Sequence, residues 1–257
     1  VADAWRPAQY ERFREERAQP FWDLAALVEP RPGMRIVDLG CGTGELTAQL
    51  HQKLQARETI GIDSSAAMLA RAPSAPGLRF EQRDVADFAP HDRFDLVFSN
   101  AALHWIPDHA GLFKRLTAAL APGGQIAVQM PMTDALITHQ TAYDLARSPA
   151  FRPLLGGYER RAPLPDPSQY AGWLHHLGYV RQHVRVVVYA HLLDTREDVV
   201  EWVRGALLTE YQKRLAPPDW ERFLQRYRQL LIPQLEDLRP YFYSNPRILI
   251  WGALPKN

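Results

Sequence analysis

Three glycines set two residues apart, Gly40, Gly42 and Gly44, stand between the short apolar run 34–39 and a helical pattern that starts at Glu45. Glycine takes positive φ at no steric cost and leaves bare backbone for a ligand to lie against. The first N–H groups of the following helix, which lack partners within it, face that ligand. Strand, glycine turn and helix in this order make a nucleotide-type site. The dinucleotide fingerprint is G-x-G-x-x-G; here the third glycine comes one residue early, which argues against NAD. Taken alone, the turn could also serve only close strand-helix packing. Asp63 follows the next apolar run, and an acid about 20 residues beyond such a loop can hold both ribose hydroxyls of a nucleoside. It fixes the nucleoside and says nothing of the chemistry. Asp84-Val85 could meet an adenine edge, although Asp84 by itself reads more simply as a turn or cap residue.

The elements that must position these residues alternate from Met34 to Met130 with short connections, which predicts βαβ units and a parallel sheet. Strands are expected over 35–39, 59–62, 78–82, 94–99 and 125–130, with helices over 45–54, 66–71 and 108–120. Leu112, Phe113, Leu116 and Leu120 form the apolar face of the last helix, and Ala121-Pro-Gly-Gly124 stops it. Right-handed crossovers put the carboxyl ends of all these strands on one side, where open α/β sheets bind ligands. Before the first strand, two helices are expected over 7–17 and 21–28. After Met130 the alternation stops. A helix over 137–147, a Pro-, Gly- and Arg-rich surface or lid over 149–167, a short helix ended by Gly178 and a β-rich run over 179–193 follow.

Asp194-Thr195 with Asp198 suggests a capping box for a helix whose inward face is Val199, Trp202, Val203, Ala206 and Leu207. A second helix follows Pro217-Pro218, with Trp220, Phe223, Leu224, Tyr227 and Leu231 inward and Pro233 as a kink. The expected organisation is an N-terminal and α/β core over 1–194, a helical cap insertion over 195–245 and a last core strand over 246–257.

At 257 residues the chain suits one α/β domain with an insertion. Its charges nearly cancel at a formal +1, and no basic run is interleaved with aromatics, so no nucleic-acid partner is expected. Of the basic residues only Lys53, Lys114, Lys213 and Lys256 are lysines. The arginine surplus has a bland cause in genomic composition, yet it supplies planar groups able to grip carboxylates bidentately. One cysteine, Cys41, excludes an internal disulfide and a cysteine-based zinc site, and no metal is expected. Cys41 as a nucleophile is disfavoured, since small residues suit the turn it occupies and no His lies nearby in sequence. No signal layout and no membrane-length apolar run is visible, so the cytoplasm is expected; the chain is also expected to be a monomer.

Several stretches carry a resemblance: Trp5-Arg-Pro-Ala-Gln-Tyr10, Phe13 with Glu16-Arg17, Val37-Asp-Leu-Gly-Cys-Gly42, Gly61-Ile-Asp-Ser-Ser-Ala-Ala-Met68, Ser99-Asn-Ala-Ala-Leu-His-Trp-Ile-Pro-Asp-His109, Val128-Gln-Met-Pro131 and Glu201-Trp-Val203. With them the chain resembles the trans-aconitate 2-methyltransferase family of class I S-adenosylmethionine-dependent methyltransferases. The glycine motif is generic to the class, the other stretches are more particular, and the helices after Trp202 match least well. The resemblance implies a Rossmann-like seven-stranded, mostly parallel sheet with an antiparallel last strand, helices on both faces and a helical cap insertion. It also implies S-adenosyl-L-methionine across the carboxyl strand ends. By position, Asp38, Gly40 and Gly42 border the methionine part, Asp63 the ribose, Asp84 and Val85 the adenine, and Asn100 the amino end. Ser64 and Met68 count with the cofactor contacts, and Tyr10 and Arg17 close the site.

Methyl transfer from a sulfonium is an in-line displacement, so positioning can carry the catalysis. A carboxylate acceptor is already ionised at pH 7, with free carboxyl pKa values near ~4, and needs no general base. His104 and Trp105 are the catalytic candidates on the acceptor side, although His104 reads equally as a satisfied, partly buried imidazole. Gln129, Arg204 and Arg247 are the candidates for holding the acceptor, a small carboxylic acid such as trans-aconitate. Other readings stay open: a methyltransferase for an acyl-carrier substrate, an amine or a phenol, a cofactor-binding regulator without turnover, or an NAD oxidoreductase.

Overall fold

The computed structural model describes residues 14–89, 93–159 and 163–256, with side chains from residue 18 onward. Tyr10 therefore lies outside the described residues, and so does the side chain of Arg17. Seven strands form one sheet: β1 (Arg35–Leu39), β2 (Glu58–Asp63), β3 (Leu78–Gln82), β4 (Phe94–Asn100), β5 (Leu120–Pro131), β6 (Arg181–Leu193) and β7 (Tyr241–Ala253). Their order is β3-β2-β1-β4-β5-β7-β6. β1 to β5 pair in parallel, and β7 runs antiparallel to β5, as the resemblance implies. The chain leaves β1 toward β2 and β3 and returns to the other side of β1 as β4. The strand order thus reverses between β1 and β4, and an open α/β sheet forms its ligand crevice at such a reversal.

The chain divides into two compact units. One comprises Glu15–Pro131, Leu164–Val187 and the chain from Arg247 on; the other includes Met132–Pro163 and Val188–Pro246. In the α/β unit the central strands are buried on both faces, with Ile36, Val37, Leu39, Leu96, Val97, Phe98, Ile126, Ala127 and Val128 shielded from water. Their near-continuous apolar runs are what a doubly covered parallel sheet requires. Helices α1 (Arg14–Ala25) and α2 (Glu45–Lys53) share a core with it, through Phe21, Leu24, Ala25 and Leu50 against Phe98, Ala127 and Leu249. Helix α3 (Ala66–Leu69) is a single turn, and α4 (His109–Ala118) meets α6 (Pro167–His176) through Phe113 and Tyr170, whose ring centroids are 5.3 Å apart.

Several boundaries differ from expectation. The break expected between residues 17 and 21 is absent, because α1 runs through Pro20 without interruption. Proline removes one helical hydrogen bond, and the fully buried Phe21 and Leu24 that follow it hold the helix on the sheet. Ala121-Pro-Gly-Gly124 is an irregularity inside β5 and not a stop before it. The ladder shifts register between Phe94 and Leu96, and Gly123, at φ 68°, donates to the Pro255 carbonyl over 2.7 Å. β7 begins at Tyr241, ahead of the expected 247, and the Pro246 carbonyl, one residue before Arg247, accepts from Met132 N–H over 2.9 Å.

The helical unit contains α5 (Ile137–Arg147), α7 (Asp198–Arg204), α8 (Thr209–Gln212) and α9 (Pro217–Leu231). The α9 face reads as expected, with Trp220, Phe223, Leu224, Tyr227 and Leu231 buried, and Ile232–Gln234 continues as a 3-10 turn around Pro233. They share a core with Ala142, Leu145 and Phe151, so this unit draws on residues well before the expected 195–245. The capping box is half formed: the Asp198 carboxylate accepts from both N–H and hydroxyl of Thr195, at 3.1 and 2.9 Å. Helix α7 ends at Arg204, so its register is lost by Ala206, which is exposed where an inward residue was expected.

Candidate active site

The glycine loop leaves β1 with Gly40, Gly42 and Gly44 at φ 78°, 58° and 71°, a region L side chains rarely adopt. Gly40 is also spatially obligatory, since a Cβ there would lie 2.1 Å from Ala102 Cβ. The loop is tied to β2. Gly40 and Cys41 N–H both donate to the Ile62 carbonyl, at 2.7 and 3.0 Å, and Gly42 N–H donates to Asp63 Oδ2 at 2.8 Å. The other Asp63 oxygen accepts from Ser65 N–H at 2.9 Å. Each carboxylate oxygen has a further lone pair, so Asp63 can brace the loop and still accept from a sugar hydroxyl. No side chain caps α2 at Gly44.

Asp38 takes a different place from the other motif residues. It is buried beneath the loop, where the Thr47 hydroxyl of α2 donates to its Oδ2 over 2.6 Å. Burial pushes its carboxyl up to about 7, against the Thr47 bond and with help from the Asp63 charge. Its visible work is to fasten α2 to β1. Burial likewise raises the Cys41 thiol, with Asp38 and Asp63 adding to the effect, so this cysteine is no thiolate nucleophile.

Asp84 caps the short turn Val85–Asp87 by accepting from Ala86 N–H at 2.8 Å, the simpler of its two readings, while it stands with Val85 just beyond the carboxyl end of β3. Ser64 is exposed and offers its carbonyl to Gln82 Nε2 at 3.2 Å; Met68 is buried. Ser65, absent from the expected set, caps α3 through Met68 N–H at 3.1 Å. Phe80 was also missed. Its ring fills the space a Cβ would need at Gly44 and at Gly61, 2.4 and 2.5 Å away. A glycine on one strand facing an aromatic on its neighbour, here Gly61 in register with Phe80, is the signal that could have found it.

β4 ends at Asn100, and Ala101 follows at φ 55°, a strained conformation for a residue other than glycine. Its N–H donates to the Gln129 carbonyl over 2.9 Å, and the chain then turns into Leu103–Trp105. His104 and Trp105 are half-buried, with ring centroids 4.9 Å apart. Asn100 and Gln129 are register partners on β4 and β5, while Arg247 on β7 reaches Gln129 Oε1 from Nη1 at 3.3 Å. The α/β unit thus brings Gly40, Gly42, Asp63, Asn100, Gln129 and Arg247 to the carboxyl ends of its parallel strands. Arg204 belongs to the helical unit, where it pairs with Glu201 at 3.5 Å.

Among the described residues no group of three or more His, Cys, Asp or Glu could hold a metal ion, and no helix is long and apolar enough to cross a membrane.

Comparison with known proteins agrees with this geometry. A family model described as a methyltransferase domain matches residues 10–184. A trans-aconitate 2-methyltransferase of Deinococcus radiodurans is 41% identical over 260 residues, covering 98% of this chain and 99% of that protein. One of Acidovorax ebreus is 39% identical, over 88% of each chain. Among solved structures, the YcgJ protein of Bacillus subtilis superposes with TM-score 0.60 at 17% identity, over 93% of this chain and 99% of that one. A Haemonchus contortus phosphoethanolamine N-methyltransferase 2, in complex with S-adenosyl-L-methionine, gives 0.55 at 19% identity, over 93% of this chain and 52% of that one. At such identities these two structures speak for the fold alone.

Proposed function

Because the chain belongs to the trans-aconitate 2-methyltransferase family of S-adenosylmethionine-dependent methyltransferases, we propose that it methylates one carboxylate of trans-aconitate to the monomethyl ester. The observation that carries the reading is the full-length likeness to relatives of that name. The site supports it. A glycine cradle with no room for a Cβ at Gly40, a braced acid at Asp63 and an Asn100 Oδ1 that is buried without a partner suit an adenosyl group bearing an ammonium.

When bound, S-adenosyl-L-methionine supplies an electrophilic methyl group on a sulfonium. In this reading Asp63 accepts from the ribose hydroxyls, Asp84 and Val85 border the adenine, and Asn100 accepts from the ammonium. Asp38 acts from below, by holding the loop and α2 together. The acceptor carboxylate is already ionised at neutral pH, so no residue has to remove a proton. His104 and Trp105 then shape the acceptor side, and catalysis rests on holding the reacting atoms in near-attack geometry. The same reading takes the protein as a cytoplasmic monomer, since its single cysteine suits a reducing compartment.

Turnover of methyl-labelled S-adenosylmethionine against a panel of small di- and tricarboxylates tests the reading. Trans-aconitate is expected to head the panel, with an alkali-labile ester as product. Label appearing only on amines or phenols, or NAD binding as tightly as S-adenosylhomocysteine in calorimetry, would sink it.

A further inference from the structure

Gln129 is fully buried, and Arg247, itself only 8% exposed, donates to its side-chain oxygen. A guanidinium carries five donors and no acceptor. It can therefore face the carbonyl of a carboxamide and not its NH₂, so Arg247 selects one of the two flips open to Gln129. In that flip Nε2 points away from Arg247, and it is buried with no hydrogen-bond partner. Beside it in register stands Asn100, whose Oδ1 is also buried with no partner. One donor and one acceptor are thus left open on neighbouring strands, toward the carboxyl ends of β4 and β5, without bonding each other. A buried polar atom left unsatisfied costs about 1–3 kcal/mol, and folded proteins rarely carry one without a use.

We propose that the Gln129 carboxamide receives a carboxylate oxygen of the acceptor, and that Arg247 is a positioning residue working through Gln129, not a clamp that touches the acceptor. The proposal rests on the carboxylate-methyltransferase reading above and assigns it a specificity-determining group. The two open atoms sort ligand charge by their own polarity. Asn100 Oδ1 repels a carboxylate and suits an ammonium, while Gln129 Nε2 repels an ammonium and suits a carboxylate. An amide donor also accommodates the product, because an ester carbonyl accepts from NH₂ as a carboxylate does. A compound with an alkylammonium in place of the carboxylate at this position is excluded.

The test uses the full-length enzyme and four variants: Gln129→Leu, the near-isosteric Gln129→Glu, Arg247→Met, and the Gln129→Leu/Arg247→Met double. Steady-state kinetics on trans-aconitate and calorimetry with S-adenosylhomocysteine are the readouts. Each Gln129 variant is expected to raise the KM for trans-aconitate about tenfold or more, the loss of one charged hydrogen bond, with S-adenosylhomocysteine affinity within about threefold of wild type. Arg247→Met, which frees the amide to flip, should raise it less, by about three- to tenfold. The double variant should be no worse than Gln129→Leu alone, because a residue acting only through another adds nothing once that partner is gone. Losses that multiply in the double variant, or a larger loss for Arg247→Met than for Gln129→Leu, overturn the proposal. An unchanged KM, or cofactor affinity falling in step with KM, overturns it as well. If the wild type binds S-adenosylhomocysteine but methylates no carboxylate, the earlier reading falls and takes this one with it. Failure among the variants of an active wild type brings down this one alone.

Discussion

Asp38 makes stability depend on pH in a direction unusual for a carboxylate. Its folded-state value is pushed up to about 7 from 3.8, so from pH ~4 upward the unfolded chain releases this proton first. The contribution is fully present below the unfolded value, is lost as pH rises toward 7, and changes no further above that. Asp38→Asn should therefore flatten the stability profile between pH 4 and 7 relative to wild type, by an amount on the order of a few kcal/mol, in urea melts at several pH values. Parallel profiles for the two proteins would contradict it. His104 carries the opposite expectation for catalysis. With an acceptor already ionised, kcat/KM should show no rise governed by a base near pH 6–7, and His104→Asn should keep turnover within about tenfold of wild type. Near-complete loss of activity with cofactor affinity intact would point to an acceptor that must be deprotonated. At this scale the sequence was informative where type and neighbourhood sufficed, as with Asp84, which reads as a turn or cap residue and does cap Val85–Asp87. It was silent on the orientation of Gln129, which depends on Arg247, a residue 118 positions away.

At the scale of elements, the glycine loop and the turn after β4 form one device. The αL conformation at Ala101 carries Ala102 against Gly40, so each segment limits the other. Gly40→Ala would meet both a positive φ and a 2.1 Å approach to Ala102 Cβ. It should destabilise the protein by about 1–3 kcal/mol and weaken S-adenosylhomocysteine binding at least about tenfold, checked by thermal melts and calorimetry. Gly42→Ala, where nothing lies within 4 Å, should be the milder change. The bounds of β1, β3 and α5 were legible because apolar periodicity and flanking turns agreed. Those of α1 and β5 were not, because burial kept Pro20 inside a helix and ladder pairing kept Pro122 inside a strand. Tertiary packing overrode the local signal in both.

At the scale of the whole molecule, the unit boundary falls inside β6 and inside β7, so each of these strands belongs to both units. Both strands run as continuous stretches of chain across that boundary. One cooperative transition is therefore expected, with a calorimetric to van't Hoff enthalpy ratio near ~1. Its midpoint should rise with S-adenosylhomocysteine, by about 2.7 kcal/mol of stability at a hundredfold excess over Kd. Two resolved transitions would show the units to be independent. That the helical unit joins residues far apart in the chain was hidden from the sequence, since local periodicity cannot tell that Ala142 and Phe151 share a core with Trp220 and Tyr227.

The bracing of the glycine loop by β2 has a further consequence for how the protein responds to its ligand. The amides of Gly40, Cys41, Gly42 and Ser65 already donate to Ile62 and Asp63. Their protons should exchange slowly with deuterated solvent in the ligand-free protein and slow little further on saturation with S-adenosylhomocysteine. The entropy of ordering this part of the site is then spent during folding, and the glycine loop greets its ligand as a finished mould.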